Sequence, residues 1–277
     1  MPATTVDRTV PLATVAVASS YPREHSLIIA VQETAAVSLD PEPEFRSDVT
    51  VELVKASAAD SDVVWAARVS TAGEGSIEAM REDPERSAGL IRYLLRSRHG
   101  TPFEHNSFTF LVGAPIFVFR EFMRHRTFSY NEESARYREL APVFYVPGPE
   151  RNLVQEGKPG HYRFVPGTAD QHELVTEATR SACETAYAAY RRMLDAGVAR
   201  EVARGVLPVA TYSSMYATCN ARALMSFLSL RTAREDARFR SYPQREIELV
   251  AEQMEGHFAR LMPITHAAFD AAGRVAP

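Results

Sequence analysis

Residues 107–137 read SFTFLVGAPIFVFREFMRHRTFSYNEESARY, and the fold is decided in this stretch. Phe108, Phe110 and Val112 alternate with Ser107 and Thr109, the period-two pattern of a half-buried strand. Pro115 then opens a helix, because its fixed φ and missing N–H suit a first helical turn. Ile116, Phe119, Phe122 and Met123 form the apolar face of that helix, which runs directly into Arg124-His125-Arg126. The bland interpretation is a salt-bridged helix end, in which Glu121 pairs with Arg124 or His125 three and four positions on.

Three features favour a ligand site instead. Two arginines flank one histidine, and at about 6 Å with an effective dielectric of 20 their charges repel by about 3 kcal/mol. Helix C-terminal carbonyls relieve part of that repulsion, and a bound anion relieves it better. Thr127, Ser129, Tyr130, Asn131, Ser134 and Tyr137 then supply more directional donors and acceptors than a solubilising loop requires. Ser134 and Arg136 also lie close enough in the chain to grip a phosphate with hydroxyl and guanidinium together.

Outward from this stretch the pattern is α+β, with short strands early and a helix-rich second half. Residues 1–47 lack sustained periodicity, and Pro41-Glu42-Pro43-Glu44 reads as linker, so we expect an N-terminal extension, partly disordered, before a single catalytic domain over 48–277. Val49 to Val54 is strand-like, Ser57 with Asp60 suggests a capping box for a helix to about Val69, and Asp83-Pro84 starts a helix closed by Gly100. Val143 to Val146 is a short strand. Four glycines and four prolines between Pro147 and Gly167 mark a long loop or insertion over 148–168. Thr168 with Gln171 caps a long helix that ends before Gly197, and helical segments follow near 199–206, 220–231 and 243–262. Tyr187, Tyr190 and Met193 fall at helical spacing and read as a packing face.

The net charge of −4 argues against a general nucleic-acid binder. Residues 1–90 hold 15 acidic against 7 basic side chains, whereas residues 191–240 hold 9 arginines against 4 acids, a local surplus suited to small anionic ligands. Cys183 and Cys219 have neither a disulfide framework nor metal-type spacing, and no zinc pattern occurs among the histidines. We expect no metal, and no Rossmann or P-loop signature is present. Val10 to Ala18 superficially resembles a signal peptide but lacks a positively charged start. No apolar run is long enough to span a membrane, so a cytoplasmic location without membrane partners is expected.

Arg-His-Arg, seven residues and then Ser134 resembles the signature of the flavin-dependent thymidylate synthases. RHGTPFEHNSFTF (98–110) looks like the early flavin-contacting segment of that family, and REVARGVLP (200–208) and NARALMSFLSLR (220–231) look like its two later ligand segments. The resemblance covers roughly residues 50–270. It implies an α+β homotetramer, with sites shared between subunits, that makes dTMP from dUMP. The carbon would come from 5,10-methylenetetrahydrofolate and the hydride from reduced FAD, with NADPH as reductant. By matched position, His99, Thr101, Arg124, His125, Arg126, Glu132, Asn220, Arg222 and Ser226 would contact FAD. Glu121, Phe122, Met123, Arg124, Glu132, Glu133, Ser134, Ala135, Arg136, Arg204 and Arg231 would contact dUMP, with Arg231 catalytic against the uracil ring. Ser226 departs from the polar amide or imidazole often found there.

Each role is chemically reasonable. A fixed arginine cation stabilises an anionic pyrimidine, and Arg200 and Arg204, four apart, share a helix face that could reach a phosphate across an interface. Residue by residue, plainer alternatives stand: Arg231 as a cationic helix end, Asn220 as an N-cap. Two other functions are also open: a flavoenzyme using a different carbon donor, or a non-catalytic nucleotide or RNA binder.

Overall fold

The computed structural model describes residues 41–81, 84–158 and 161–277. In chain order the elements are β1 (Glu44–Arg46), β2 (Thr50–Ser57), α1 (Asp60–Ala72), α2 (Pro84–Arg96), β3 (Ser107–Pro115), α3 (Ile116–Phe122), β4 (Ser129–Glu132), β5 (Val143–Tyr145), β6 (Val154–Lys158), β7 (His161–Val165), α4 (Ala169–Asp195), α5 (Arg200–Ala203), β8 (Tyr212–Cys219), α6 (Ala221–Arg231), α7 (Arg245–Leu261) and α8 (Pro263–Ala271). Four strands form an antiparallel sheet in the order β2-β3-β8-β4. Phe108, Phe110, Val112 and Ala114 point from one face of β3 into the core, as the alternation requires. Against that face lies α7, whose Ile247, Val250, Ala251, Met254 and Phe258 recur at helical spacing and are fully buried. The core continues through α6, where Leu224, Met225, Phe227 and Leu228 are buried. A second, smaller core gathers Phe144, Cys183, Tyr187 and Tyr190 against α4, including the packing face expected there.

Pro115 caps α3 as expected, and the first helical N–H groups, those of Ile116 and Phe117, donate to the carbonyls of Thr211 and Val209. The helix that leads into the Arg-His-Arg run is therefore tied to the loop entering β8. Thr168 caps α4 with Gln171 reaching back, and the helix ends before Gly197, which adopts φ +78°.

Several expectations need correction. The folded body starts before residue 48: β1 pairs in parallel with β5, because Phe45 packs on Phe144 at 5.8 Å and draws the proline-flanked segment inward. Residues 1–40, with Val10 to Ala18, lie outside the described residues. The 148–168 stretch is not all loop, since β6 and β7 pair as an antiparallel ribbon within it. Ser57 closes β2 rather than capping α1. Asp62 instead accepts the Ala59 N–H at 2.8 Å, while buried Asp60 accepts from Ile264 N, Thr265 N and Thr265 Oγ1 and so caps α8 from a distance. Gly100 does not close α2; Arg98, at φ 60°, takes the left-handed position after it. Among the described residues, no helix is long and apolar enough to cross a membrane.

Candidate active site

The chain leaves α3 at Phe122 and turns sharply, with His125 N donating to the Phe122 carbonyl at 2.8 Å. Tyr130 on β4 braces this turn: its hydroxyl lies 2.7 Å from the Phe122 carbonyl and 2.9 Å from that of His125. Beneath the turn, Phe122 stacks on Phe227 of α6 at 4.8 Å, and the same Phe227 meets the His125 ring edge-on at 4.9 Å. Phe122 is 0% exposed, and its side chain supports the motif from within the core.

Arg231, the last residue of α6, reaches this turn. Its Nε–H donates to His125 Nε2 at 3.0 Å, its Nη1 pairs with Glu121 Oε2 at 2.6 Å, and its Nη2 lies 3.4 Å from the Glu121 carbonyl. Glu121 thus pairs across the fold with Arg231, and not along its own helix. An imidazole nitrogen that accepts from a guanidinium must be unprotonated. Burial, reinforced by the Arg231 charge and opposed by Glu121, lowers the His125 pKa to about 4, which keeps the ring neutral. Burial also raises the Glu132 carboxyl, partly offset by the Ser213 hydroxyl.

Three clefts meet here. One, of about 530 Å³, is lined by Arg124, His125, Arg126, Thr127, Ser226 and Arg231. A second, of about 420 Å³, shares Thr127 and Ser226 and adds Arg98, Asn220 and Arg222. A third, of about 650 Å³, shares Arg124 and adds Glu121 and Met123. The structure thus brings the 124–126 and 220–231 segments together, and Ser226 stands at the junction. Asn220 Oδ1 accepts the Ala223 N–H, so the N-cap reading of that residue is correct. Arg222 donates to Glu104 at 2.5 Å and to the Pro277 carbonyl at 2.8 Å. A Cβ on Gly100 would lie 2.5 Å from the Arg222 guanidinium, so glycine there permits the approach.

The remaining predicted residues stand apart: His99, Thr101, Glu132, Glu133, Ser134, Ala135, Arg136 and Arg204 line none of these three clefts. Arg136 pairs with Glu201 of α5 at 2.6 Å, and Ser134 Oγ accepts the Arg136 backbone N–H at 3.3 Å. Glu133 pairs with Arg138 at 3.1 Å. Arg204 is the C-terminal cap of α5 and its backbone N–H donates to the Arg200 carbonyl one turn back, so the two arginines share one helical face as expected, and Arg200 turns toward Glu139 at 3.5 Å. Sequence reasoning missed Phe227 as the support under His125, although an aromatic between Arg222 and Arg231, the two arginines expected to meet ligands, was the available signal. Cys183 and Cys219 are buried, with both thiols pushed up by burial, and neither lines the clefts.

A family model described as thymidylate synthase complementing protein matches residues 52–264. A flavin-dependent thymidylate synthase from Streptomyces coelicolor is 68% identical over 239 residues, covering 86% of this chain and 97% of the relative. One from Tropheryma whipplei is 57% identical over 237 residues, covering 85% and 98%. Among solved structures, the UMP/dUMP methylase PolB from Streptomyces cacaoi bound with 5-Br dUMP is 64% identical with a TM-score of 0.80, covering 84% of this chain and all of that one. The same methylase bound with 5-Br UMP gives 62% and 0.79, covering 86% and all of that chain. With the Arg-His-Arg turn, its serine and the arginine at the end of α6 in one framework, the chain belongs to the flavin-dependent thymidylate synthase family.

Proposed function

We propose that the protein methylates dUMP to dTMP, with 5,10-methylenetetrahydrofolate as carbon donor, FADH2 as hydride source and NADPH as the reductant that restores it. The observation that carries this reading is the Arg231 guanidinium, held between His125 Nε2 and the Glu121 carboxylate at the edge of a cleft. Arginine stays protonated at any working pH, so Arg231 acts as a fixed charge and not as a base. Placed against the uracil ring, it stabilises negative charge as the pyrimidine is activated. His125 and Glu121 fix its direction in advance, and neutral His125 adds no competing cation.

The second cleft suits the flavin. Arg222 offers charge to a pyrophosphate, Thr127 and Ser226 offer hydroxyls, and the bare Gly100 keeps Arg222 close to the backbone. His99, Thr101, Arg124, His125, Arg126, Glu132, Asn220, Arg222 and Ser226 would hold the cofactor, whose ring supplies the hydride when bound. The nucleotide would meet Glu121, Met123 and Arg231 on one side. Glu133, Ser134, Ala135, Arg136 and Arg204 would hold its phosphate from another subunit of a homotetramer, and the Arg136–Glu201 pair already brings Arg136 to α5. Supporting such an assembly, Val202, Val206, Val209 and Tyr137 are exposed apolar side chains around α5. The enzyme would act in the cytoplasm on small molecules, without nucleic-acid or membrane partners.

The test is to purify the protein, record its visible spectrum and assay dTMP formation from dUMP, methylenetetrahydrofolate and NADPH. A yellow protein that forms dTMP agrees with the proposal, whereas a colourless one, or one that leaves dUMP unchanged, contradicts it. One relative is named for UMP as well as dUMP, which favours a second reading in which the ribonucleotide is also methylated. Including UMP in the same assay decides it, and we expect dUMP to be preferred.

A further inference from the structure

Beside the Arg231 cleft runs a groove of about 620 Å³ between Arg98 and the 232–242 loop, lined by Leu230, Arg231, Phe239, Arg240 and Tyr242 among others. It shares Ser226, Leu230 and Arg231 with that cleft, so a ligand reacting there can extend into it. The loop is held in shape: Ser241 Oγ donates to the Thr232 carbonyl at 2.6 Å, Arg238 N to the Gly273 carbonyl at 2.9 Å, and Ala233 N to Glu248 at 2.8 Å. Yet its tip presents Phe239 at 67% exposure and Tyr242 at 49%. Arg274 also lines the groove but is committed to Glu255 and Asp270. Arg98 has no acidic partner among the described residues, and Arg240 has only Glu235 at 3.8 Å, itself 97% exposed. A held loop that offers aromatic surface beside loosely paired arginines suits a ligand with an aromatic body and a polyanionic end.

We propose that this groove binds the p-aminobenzoyl and oligo-γ-glutamyl tail of the folate donor, a reading that rests on the function proposed above. The reacting end of the donor must reach the Arg231 cleft. Its aromatic linker then lies against Phe239 and Tyr242, and its carboxylates pair with Arg98 and Arg240. A 2′-phosphorylated dinucleotide would bring similar anionic chemistry, so the test has to separate the two.

The experiment compares kcat/KM for monoglutamyl and triglutamyl methylenetetrahydrofolate in wild-type holoenzyme, Arg240→Ala, Arg240→Lys and Arg98→Asn, all with normal flavin absorbance. Asparagine is chosen at position 98 because it tolerates the left-handed backbone. We expect the wild type to prefer the triglutamate, and each charge removal to lower that preference by about two- to fivefold, the scale of an exposed ion pair. Arg240→Lys should keep part of it, and added salt should erode it in the wild type. No tail preference in the wild type, or one unchanged in both charge-removing variants, overturns the proposal. Loss of NADPH-over-NADH discrimination in flavin reduction, with tail preference intact, also overturns it and assigns the groove to the dinucleotide. A wild type that forms no dTMP would instead break the parent function, and equilibrium dialysis of the two tetrahydrofolates against the same proteins would still decide the groove.

Discussion

His125 accepts the Arg231 Nε–H only while its ring is neutral, and this ties the site to pH. In the unfolded chain a histidine titrates near 6.5, and in the folded chain burial and Arg231 bring His125 to about 4. Between those values the unfolded state binds the extra proton, so this group's contribution to stability falls as pH drops from 6.5 towards 4. Thermal melts should therefore show a shallower acid decline in His125→Gln than in wild type; equal slopes would mean that another group controls it. Gly100→Ala tests a second close contact. Its Cβ would push the side-chain end of Arg222, not backbone, so we expect nearly unchanged Tm with weaker flavin retention on dialysis. Unchanged retention would free Arg222 of its cofactor role. The sequence alone could not separate a ligand arginine from a helix-end cation at Arg231, and the structure explains why. Arg231 is the last residue of α6, yet its guanidinium turns to Glu121 and His125, more than a hundred positions away in the chain.

Among the elements, α1 and α8 are joined through one carboxylate. Asp60 starts α1 but serves the otherwise unpaired N–H groups at the head of α8. Asp60→Ala should cost about 1–3 kcal/mol by leaving those buried donors unmet, read as a lower urea midpoint with unchanged m. An unaltered midpoint would show that water satisfies them. Pairs that meet across the fold leave no local signature, which explains why Asp60 read as part of a capping box. Legibility followed pattern strength elsewhere. β3 alternated cleanly and α4 carried its Thr168–Gln171 box, so both were plain. β8 was missed although it lies between β3 and β4: its buried side is Ser213, Met215, Ala217 and Cys219, and the opposite side carries Tyr212 and Tyr216, so neither side is clearly apolar. α8 was missed because a proline just after one helix, as Pro263 is, ends that helix as readily as it opens the next.

At the scale of the whole molecule, the groups proposed for nucleotide phosphate and for uracil sit in different places on one chain. Arg136 is paired at α5, and Arg231 stands at the end of α6 beside α3. If sites are completed between subunits, mixing Arg231→Ala with Arg136→Glu, refolded together, should recover activity that neither parent has. No recovery after confirmed subunit exchange would confine each site to one chain. Arg231 itself remains the centre of the account, because it alone ties Glu121, His125 and the cleft together. The most direct measurement is single-turnover dTMP formation by Arg231→Ala at saturating dUMP, with flavin reduction by NADPH followed in the same sample. One preorganised donor to developing charge is typically worth about 10²–10³ in rate, so dTMP formation should slow by that factor while flavin reduction persists. A wild-type rate of dTMP formation would contradict the account and leave Arg231 a helix-end cation.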